Sequence, residues 1–265
     1  MNYSFMPFST PQLSLAEVLQ VAKRYGYNGI EPRLDAKHAH GIEVTATAAE
    51  RAAFRKQAAA SGIALACLAT SLKYADPAAE AEMIRQTLER IDLAADVGAP
   101  AIRIFGGQVP KDLPREKAID QVAKCLSAVA DRARARGVTI CMETHDDWCD
   151  PAHVAAVLEK VNHPAIACNW DVMHPVRMGL ASVEKSFETL RRWIRHTHLH
   201  DGTGKTQITM LPIGTGDIDH KMFLTLLKGA GYTGFLSGEW INWEPYETHL
   251  PRELATLKRM EREIR

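Results

Sequence analysis

Hydrophobic and polar positions follow two periods along this chain, and the periods take turns. Eight short apolar or β-branched runs begin near Tyr3, Asn28, Ile63, Ala101, Val138, Ala165, Ile194 and Thr233. Between them lie Leu15–Tyr25, Thr47–Ser61, Ala78–Val97, Arg115–Arg136, Ala152–Lys160, Val183–Arg191, His220–Ala230 and Thr248–Ile264. These segments carry apolar residues three and four apart, the spacing of an amphipathic helix. Gly26, Gly62, Gly98, Gly137 and Gly231 fall where helix C-termini belong. Strict strand–helix alternation predicts parallel strands joined by right-handed crossovers. Eight such units in 265 residues predict a single (β/α)₈ TIM barrel, one domain over residues 1–265. An open doubly wound sheet is the competing arrangement. It lacks support, because no Gly-rich phosphate fingerprint follows the first run.

Period two inside the runs assigns their faces. Val138, Ile140 and Met142 alternate with Thr139, Cys141 and Glu143. Ile166, Cys168 and Trp170 alternate with Ala167, Asn169 and Asp171, and Thr197 and Leu199 alternate with His196, His198 and His200. The apolar set is expected to meet the helices, and the small or polar set to face the barrel axis. That puts Glu143, Asp171 and His198 inside, near the C-terminal ends of their strands. Glu239 closes the eighth run, TGFLSGEW, in the same way.

Composition narrows the function. The net charge is zero with His neutral, so no basic excess is available for a nucleic-acid backbone. No apolar run is long enough to span a bilayer. MNYSFMPFST has no basic segment followed by an apolar one, so no signal peptide is expected. The five scattered cysteines, without a C-x-x-C, fit free thiols in a reducing cytoplasm.

The interior residues then carry the chemistry. Three carboxylates and one imidazole, from four successive strands, converge on the mouth where barrel active sites lie. Carboxylates this close would take up protons unless a cation were present. One divalent metal ion bound by Glu143, Asp171, His198 and Glu239 resolves the conflict. Oxygen-rich ligation with one imidazole suits Mn²⁺, Co²⁺, Mg²⁺ or Zn²⁺.

The motifs YGYNGIEPR, AIRIFGG, CMETHDDW, NWDVMH, HTHLHD, LPIGTGDID and GFLSGEW, in this order, span nearly the whole chain. Together they resemble the sugar phosphate isomerase/epimerase superfamily, the xylose-isomerase-like TIM barrels. The resemblance implies the same four metal ligands and assigns His174, in D-x-x-H, to binding a substrate oxygen. The chain departs from many members at His198-Leu199-His200-Asp201, where they have H-x-K-D. The additional His and Asp ligands of the endonuclease IV branch are missing, so a three-metal nuclease is disfavoured.

Together these readings point to a metal-dependent isomerase or epimerase of a small sugar, ketose or sugar acid. It would remove a proton next to a carbonyl and pass through an enediolate. Glu143 and Glu239 are the expected acid/base pair. A lyase of the inosose or keto-polyol dehydratase type would use the same metal site, whereas a sugar-binding module has no need for two metal-bound glutamates. Arg103, His145, Trp148 and His200 are expected at the substrate, with His145 and Trp148 as wall or lid. Glu31 reads either as a substrate contact or as half of a buried pair with Arg33. His196 reads as a core histidine. The expected partner is a small carbohydrate, with no nucleic acid or membrane; a homo-oligomer is open, and the stretch INWEPYETHL could cover the site or meet a subunit.

Overall fold

Two helices open on the same device. In the computed structural model, which describes residues 1–264, α1 (Leu15–Tyr25) and α2 (Ala48–Ser61) begin with reciprocal capping boxes. Ser14 pairs with Glu17 and Thr47 with Glu50, so each box satisfies otherwise orphaned backbone N–H groups. α1 and α3 (Glu80–Val97) end at Gly26 (φ 85°) and Gly98 (φ 88°), in the left-handed region that glycine enters without a Cβ penalty. The remaining long helices are α4 (Arg115–Ala135), α5 (Pro151–Val161), α7 (Val183–Leu190), α8 (His220–Gly229) and α9 (Tyr246–Glu263). Asp150, Ser182 and Asp219 cap α5, α7 and α8.

The strand segments are β1 (Asn2–Phe5), β2 (Gly29–Ile30), β3 (Ala64–Leu65), β4 (Leu68–Lys73), β5 (Ala101–Phe105), β6 (Thr139–Glu143), β7 (Ile166–Asp171), β8 (Ile194–Leu199) and β11 (Phe235–Gly238). They form one parallel sheet in the order β3-β2-β1-β11-β8-β7-β6-β5-β4. β3 and β4 are two halves of the third barrel strand. The first half pairs with β2 and the second with β5. Past β2 the chain meets β4 through a bridge between Arg33 and Ala69, with Leu34 N donating to Ala69 O at 2.8 Å and Ala69 N to Pro32 O at 2.9 Å. The eight staves of a TIM barrel result, and the open sheet is excluded.

The face assignment holds. Ile140, Met142, Ile166, Cys168, Trp170 and Leu199 join the core that packs the sheet against its helices. Cys67, Ala101, Cys141 and Ala167 form a separate small cluster inside the barrel. Glu143, Asp171, His196 and His198 are buried polar groups contributed by β6, β7 and β8 beside it. Trp240, which ends GFLSGEW, is fully buried, while Ile241, the first residue of INWEPYETHL, is exposed.

Three local features escape the period reading. A five-residue helix, α6 (Met173–Arg177), follows β7 directly, too short to show a helical period. A hairpin of β9 (Asp201–Thr203) and β10 (Thr209–Leu211) stands above the barrel mouth. Pro77–Ala79 forms a separate 3₁₀ turn before α3. Among the described residues no helix is long and apolar enough to cross a membrane.

Candidate metal centre

Four neighbouring staves deliver one side chain each to the same level. Asp171 on β7 stands opposite His198 on β8, and His198 stands opposite Ser237 on β11. Glu143 ends β6, and Glu239 follows β11 directly. One potential ligand atom from each of Glu143, Asp171, His198 and Glu239 lies within 4.8 Å of all the others. His198 Nδ1 is 2.8 Å from Glu143 Oε1 and 3.3 Å from Glu239 Oε2. Only Glu239 keeps any exposure, 7%, against 0% for the other three.

Burial opposes a charge on Asp171, His198 and Glu239, and their neighbours overrule it. His198 and then Arg103 draw Glu239 down to about 2. His200, His174 and His198 hold Asp171 far below the usual carboxylate range. Burial alone would lower His198, but Glu31, Glu143 and Glu239 raise it well above an ordinary histidine. Asp171 and Glu239, both held ionised, thus share one buried centre with the Glu143 carboxyl, the condition that a divalent cation relieves. Glu143 Oε2 and Asp171 Oδ2 are buried with no hydrogen-bond partner, although Arg103 Nε approaches the former at 3.1 Å. Unpartnered carboxylate oxygens beside an imidazole nitrogen fit an oxygen-preferring or borderline ion.

Arg103 is 1% exposed. Besides Glu143 it meets Thr70 O at 2.7 Å and stacks over the Phe105 ring at 3.9 Å. His174, on α6, lies with Nε2 3.7 Å from Asp171 Oδ2. His200 Nε2 lies 3.0 Å from the same oxygen, and that carboxylate raises its pKa against the effect of burial. Asp171, His174 and His200 could themselves surround an ion. However, Arg177 Nε donates to His174 Nδ1 at 2.9 Å, which leaves the proton on His174 Nε2 and makes it a donor. Burial lowers His174 to about 4, so it stays neutral. His145 packs edge-on to His174 at 4.4 Å and sits 2.9 Å from Asp146, with 30% of its side chain exposed at the mouth.

Two expectations are corrected. Trp148 is neither wall nor lid: it has no exposed surface, donates from Nε1 to Gly107 O at 2.9 Å and packs so tightly on Gly106 that a Cβ there would lie 2.3 Å from its ring. Glu31 does not pair with Arg33 and has no surface to offer a substrate. Its two oxygens face His196 Nε2 at 2.7 Å and His198 Nε2 at 3.0 Å. Arg33 turns instead to Ala69 O and Leu34 O, and to Ser71 Oγ at 2.6 Å. His196 is a buried interior histidine, as expected, but it belongs to this polar chain.

Two residues were missed. Arg177 orients His174 and also donates to Lys205 O in the β9–β10 turn. Asp201 gathers the loop above the site: its carboxylate accepts from the N–H groups of Gly202 (2.9 Å), Gly214 (2.8 Å), Gly216 (3.1 Å) and Ile218 (3.3 Å). The signal for Asp201 was its place at the end of HTHLHD, just ahead of Gly202 and Gly204; Arg177 left none, since its partner lies on a helix too short to show a period.

The sequence profile of the family described as xylose isomerase-like TIM barrel matches residues 19–260. Two relatives, each described only as a putative enzyme, are similar in sequence. An L-ribulose-5-phosphate 3-epimerase of Haemophilus influenzae is 25% identical over 247 residues, 86% of this chain and 85% of its own. A hydroxypyruvate isomerase of Xenopus laevis is 24% identical over 164 residues, 57% of this chain, and the match spans only 58% of that relative. Among solved structures, the probable 3-DHS dehydratase AsbF of Bacillus anthracis superposes with TM-score 0.81 at 20% identity, covering 97% of this chain and 99% of its own. D-psicose 3-epimerase, solved in the presence of D-fructose, gives 0.80 at 17% identity over 98% and 99%. The IOLI protein with a bound zinc atom gives 0.79 at 18% over 99% and 97%. At these identities the structural likeness shows the fold.

Proposed function

Because the chain belongs to the xylose isomerase-like TIM barrel family, we propose that it is a divalent-metal-dependent isomerase or epimerase of a small sugar, ketose or sugar acid. The observation that carries this reading is the buried convergence of Glu143, Asp171, His198 and Glu239 within 4.8 Å. Mn²⁺, Co²⁺, Mg²⁺ and Zn²⁺ all suit that donor set, and when bound such an ion supplies Lewis-acid polarisation of a carbonyl.

The chain's own residues do the rest. Glu239 alone of the four reaches the surface, so its carboxylate takes the proton from the carbon beside the carbonyl. Glu143, 2.8 Å from His198 Nδ1 and paired with Arg103, is the second carboxyl that exchanges the proton. His174 offers Nε2–H to a substrate oxygen, with Arg177 fixing that tautomer. His145 and the exposed edge of Glu239 line the way in.

A dehydratase begins with the same proton abstraction. His200 favours it as a second reading: buried, with Nε2 3.0 Å from Asp171 Oδ2, whose charge raises its pKa, it is placed to give a proton to a departing hydroxyl. The test is to incubate the metal-loaded protein with ketoses, sugar acids and inososes in heavy water. Deuterium at the carbon next to the carbonyl, in an isomer of the substrate, is expected. An enone lacking a hydroxyl identifies the lyase. Stoichiometric metal with no carbon-bound deuterium in any compound sinks both.

A further inference from the structure

Glu31 stands outside the four-residue set, yet it is bonded to one member of it. Its Oε1 lies 3.0 Å from His198 Nε2 and its Oε2 lies 2.7 Å from His196 Nε2. Glu31 and His198 are 0% exposed and His196 is 1% exposed. The strands involved are not neighbours: β1 and β11 separate β2 from β8, so Glu31 reaches across the barrel interior. An ionised carboxylate so placed costs several kcal/mol to desolvate unless it is well paired. Two imidazole N–H groups answer both of its oxygens.

The two nitrogens of His198 have different neighbours. Nδ1 faces Glu143 and Glu239, and Nε2 faces Glu31. A neutral imidazole has one N–H, and a carboxylate only accepts. Glu31 therefore keeps the proton on Nε2, so it is the Nδ1 proton, facing Glu143 and Glu239, that would give way to an ion and free that lone pair for it. From this geometry we infer that Glu31 is a positioning residue for the metal centre, fixing the tautomer and ring plane of His198 while His196 holds the carboxylate in place. Such carboxylate–histidine pairs orient a metal-binding imidazole and raise its basicity. The inference rests on the metal-binding reading proposed above.

Glu31→Gln keeps the size and an acceptor for His198 but removes the charge, and His196→Gln removes the far imidazole. Mn²⁺ affinity by chelator competition and the melting temperature of the metal-free protein are measured side by side. Glu31→Gln is expected to weaken Mn²⁺ binding about 10- to 100-fold, with the metal-free melting temperature within a few degrees of wild type. His196→Gln is expected to weaken it less, in the same direction. A lowered melting temperature with unchanged Mn²⁺ affinity would make Glu31 a barrel anchor and overturn the inference. If Glu31→Gln does not fold, unchanged affinity in His196→Gln overturns it. Glu143→Gln separates the two levels. Affinity lost in Glu143→Gln but intact in Glu31→Gln ends only this inference, whereas a wild-type protein that binds no Mn²⁺ ends the metal reading as well.

Discussion

Arg177 donates its Nε–H to Nδ1 of His174 across 2.9 Å. An arginine cannot accept, so the bond dictates which nitrogen of His174 carries the proton. With burial lowering its pKa to about 4, His174 is a fixed neutral donor through Nε2. Arg177→Met is expected to lower kcat/KM about tenfold or more, the effect of ~1.4 kcal/mol, with Mn²⁺ affinity unchanged. Nitrogen-15 shifts of His174 read the tautomer directly. A retained Nε2–H form together with wild-type kinetics would refute the role.

Metal binding should appear as stability before any substrate is known. At free Mn²⁺ one hundred times Kd, the native state gains about 2.7 kcal/mol, which raises the melting temperature by roughly 5–10 °C. A chelator should reverse the shift. Asp171→Asn and His198→Ala should abolish it, because each removes one of the four convergent groups. Scanning calorimetry with and without Mn²⁺ decides; an equal shift in the variants would mean that the ion binds elsewhere.

Gly216 is where the loop above the site tolerates least. A Cβ there would lie 2.3 Å from Asp201 Oδ1 and 2.7 Å from Gly202 N, inside the carboxylate's ring of N–H donors. Gly216→Ala is expected to cost about 1–3 kcal/mol of unfolding free energy, the range for overpacking. Urea denaturation measures it. Gly229→Ala is the control, since nothing lies within 4 Å of a Cβ at that position. Equal midpoints for the two variants would show that the Asp201 loop yields freely.

The barrel and its centre were legible because both follow from simple periods. A strand of period two that ends in Glu143, Asp171 or His198 has only one face left for them once Ile140, Trp170 and Leu199 meet the helices. Partners across the lumen were not legible in the same way. Arg33 follows Glu31 two residues later, so sequence proximity suggested a pair; the chain leaves β2 after Ile30, and Arg33 bonds Ala69 O and Ser71 Oγ instead. The real partners of Glu31 lie 165 and 167 residues away. Trp148 misled for a related reason: loop position suggested exposure, whereas Gly106 and Gly107 make a recess that swallows the indole.

Buried neutral histidines set the acid limit of the fold. Burial holds His40, His174 and His249 each down to about 4, against an ordinary value of 6.5. Between pH 6.5 and 4 the unfolded chain binds protons that these imidazoles refuse, so stability falls as pH falls. His145, His198 and His200 do not oppose this, because their pKa values are raised and their contribution is already complete below 6.5. The lowered carboxylates Asp171 and Glu239 lose theirs only as pH drops from about 4 toward their own folded values. One fully buried histidine contributes a slope of about 1.4 kcal/mol per pH unit in the window. His40→Gln should flatten the curve of unfolding free energy against pH by about that amount between pH 6 and 5. Its Nδ1 accepts only from Ile42 N, a bond the glutamine oxygen can replace. Urea titrations at half-unit pH steps give the curve, and a variant slope equal to that of wild type would place His40 outside the acid transition.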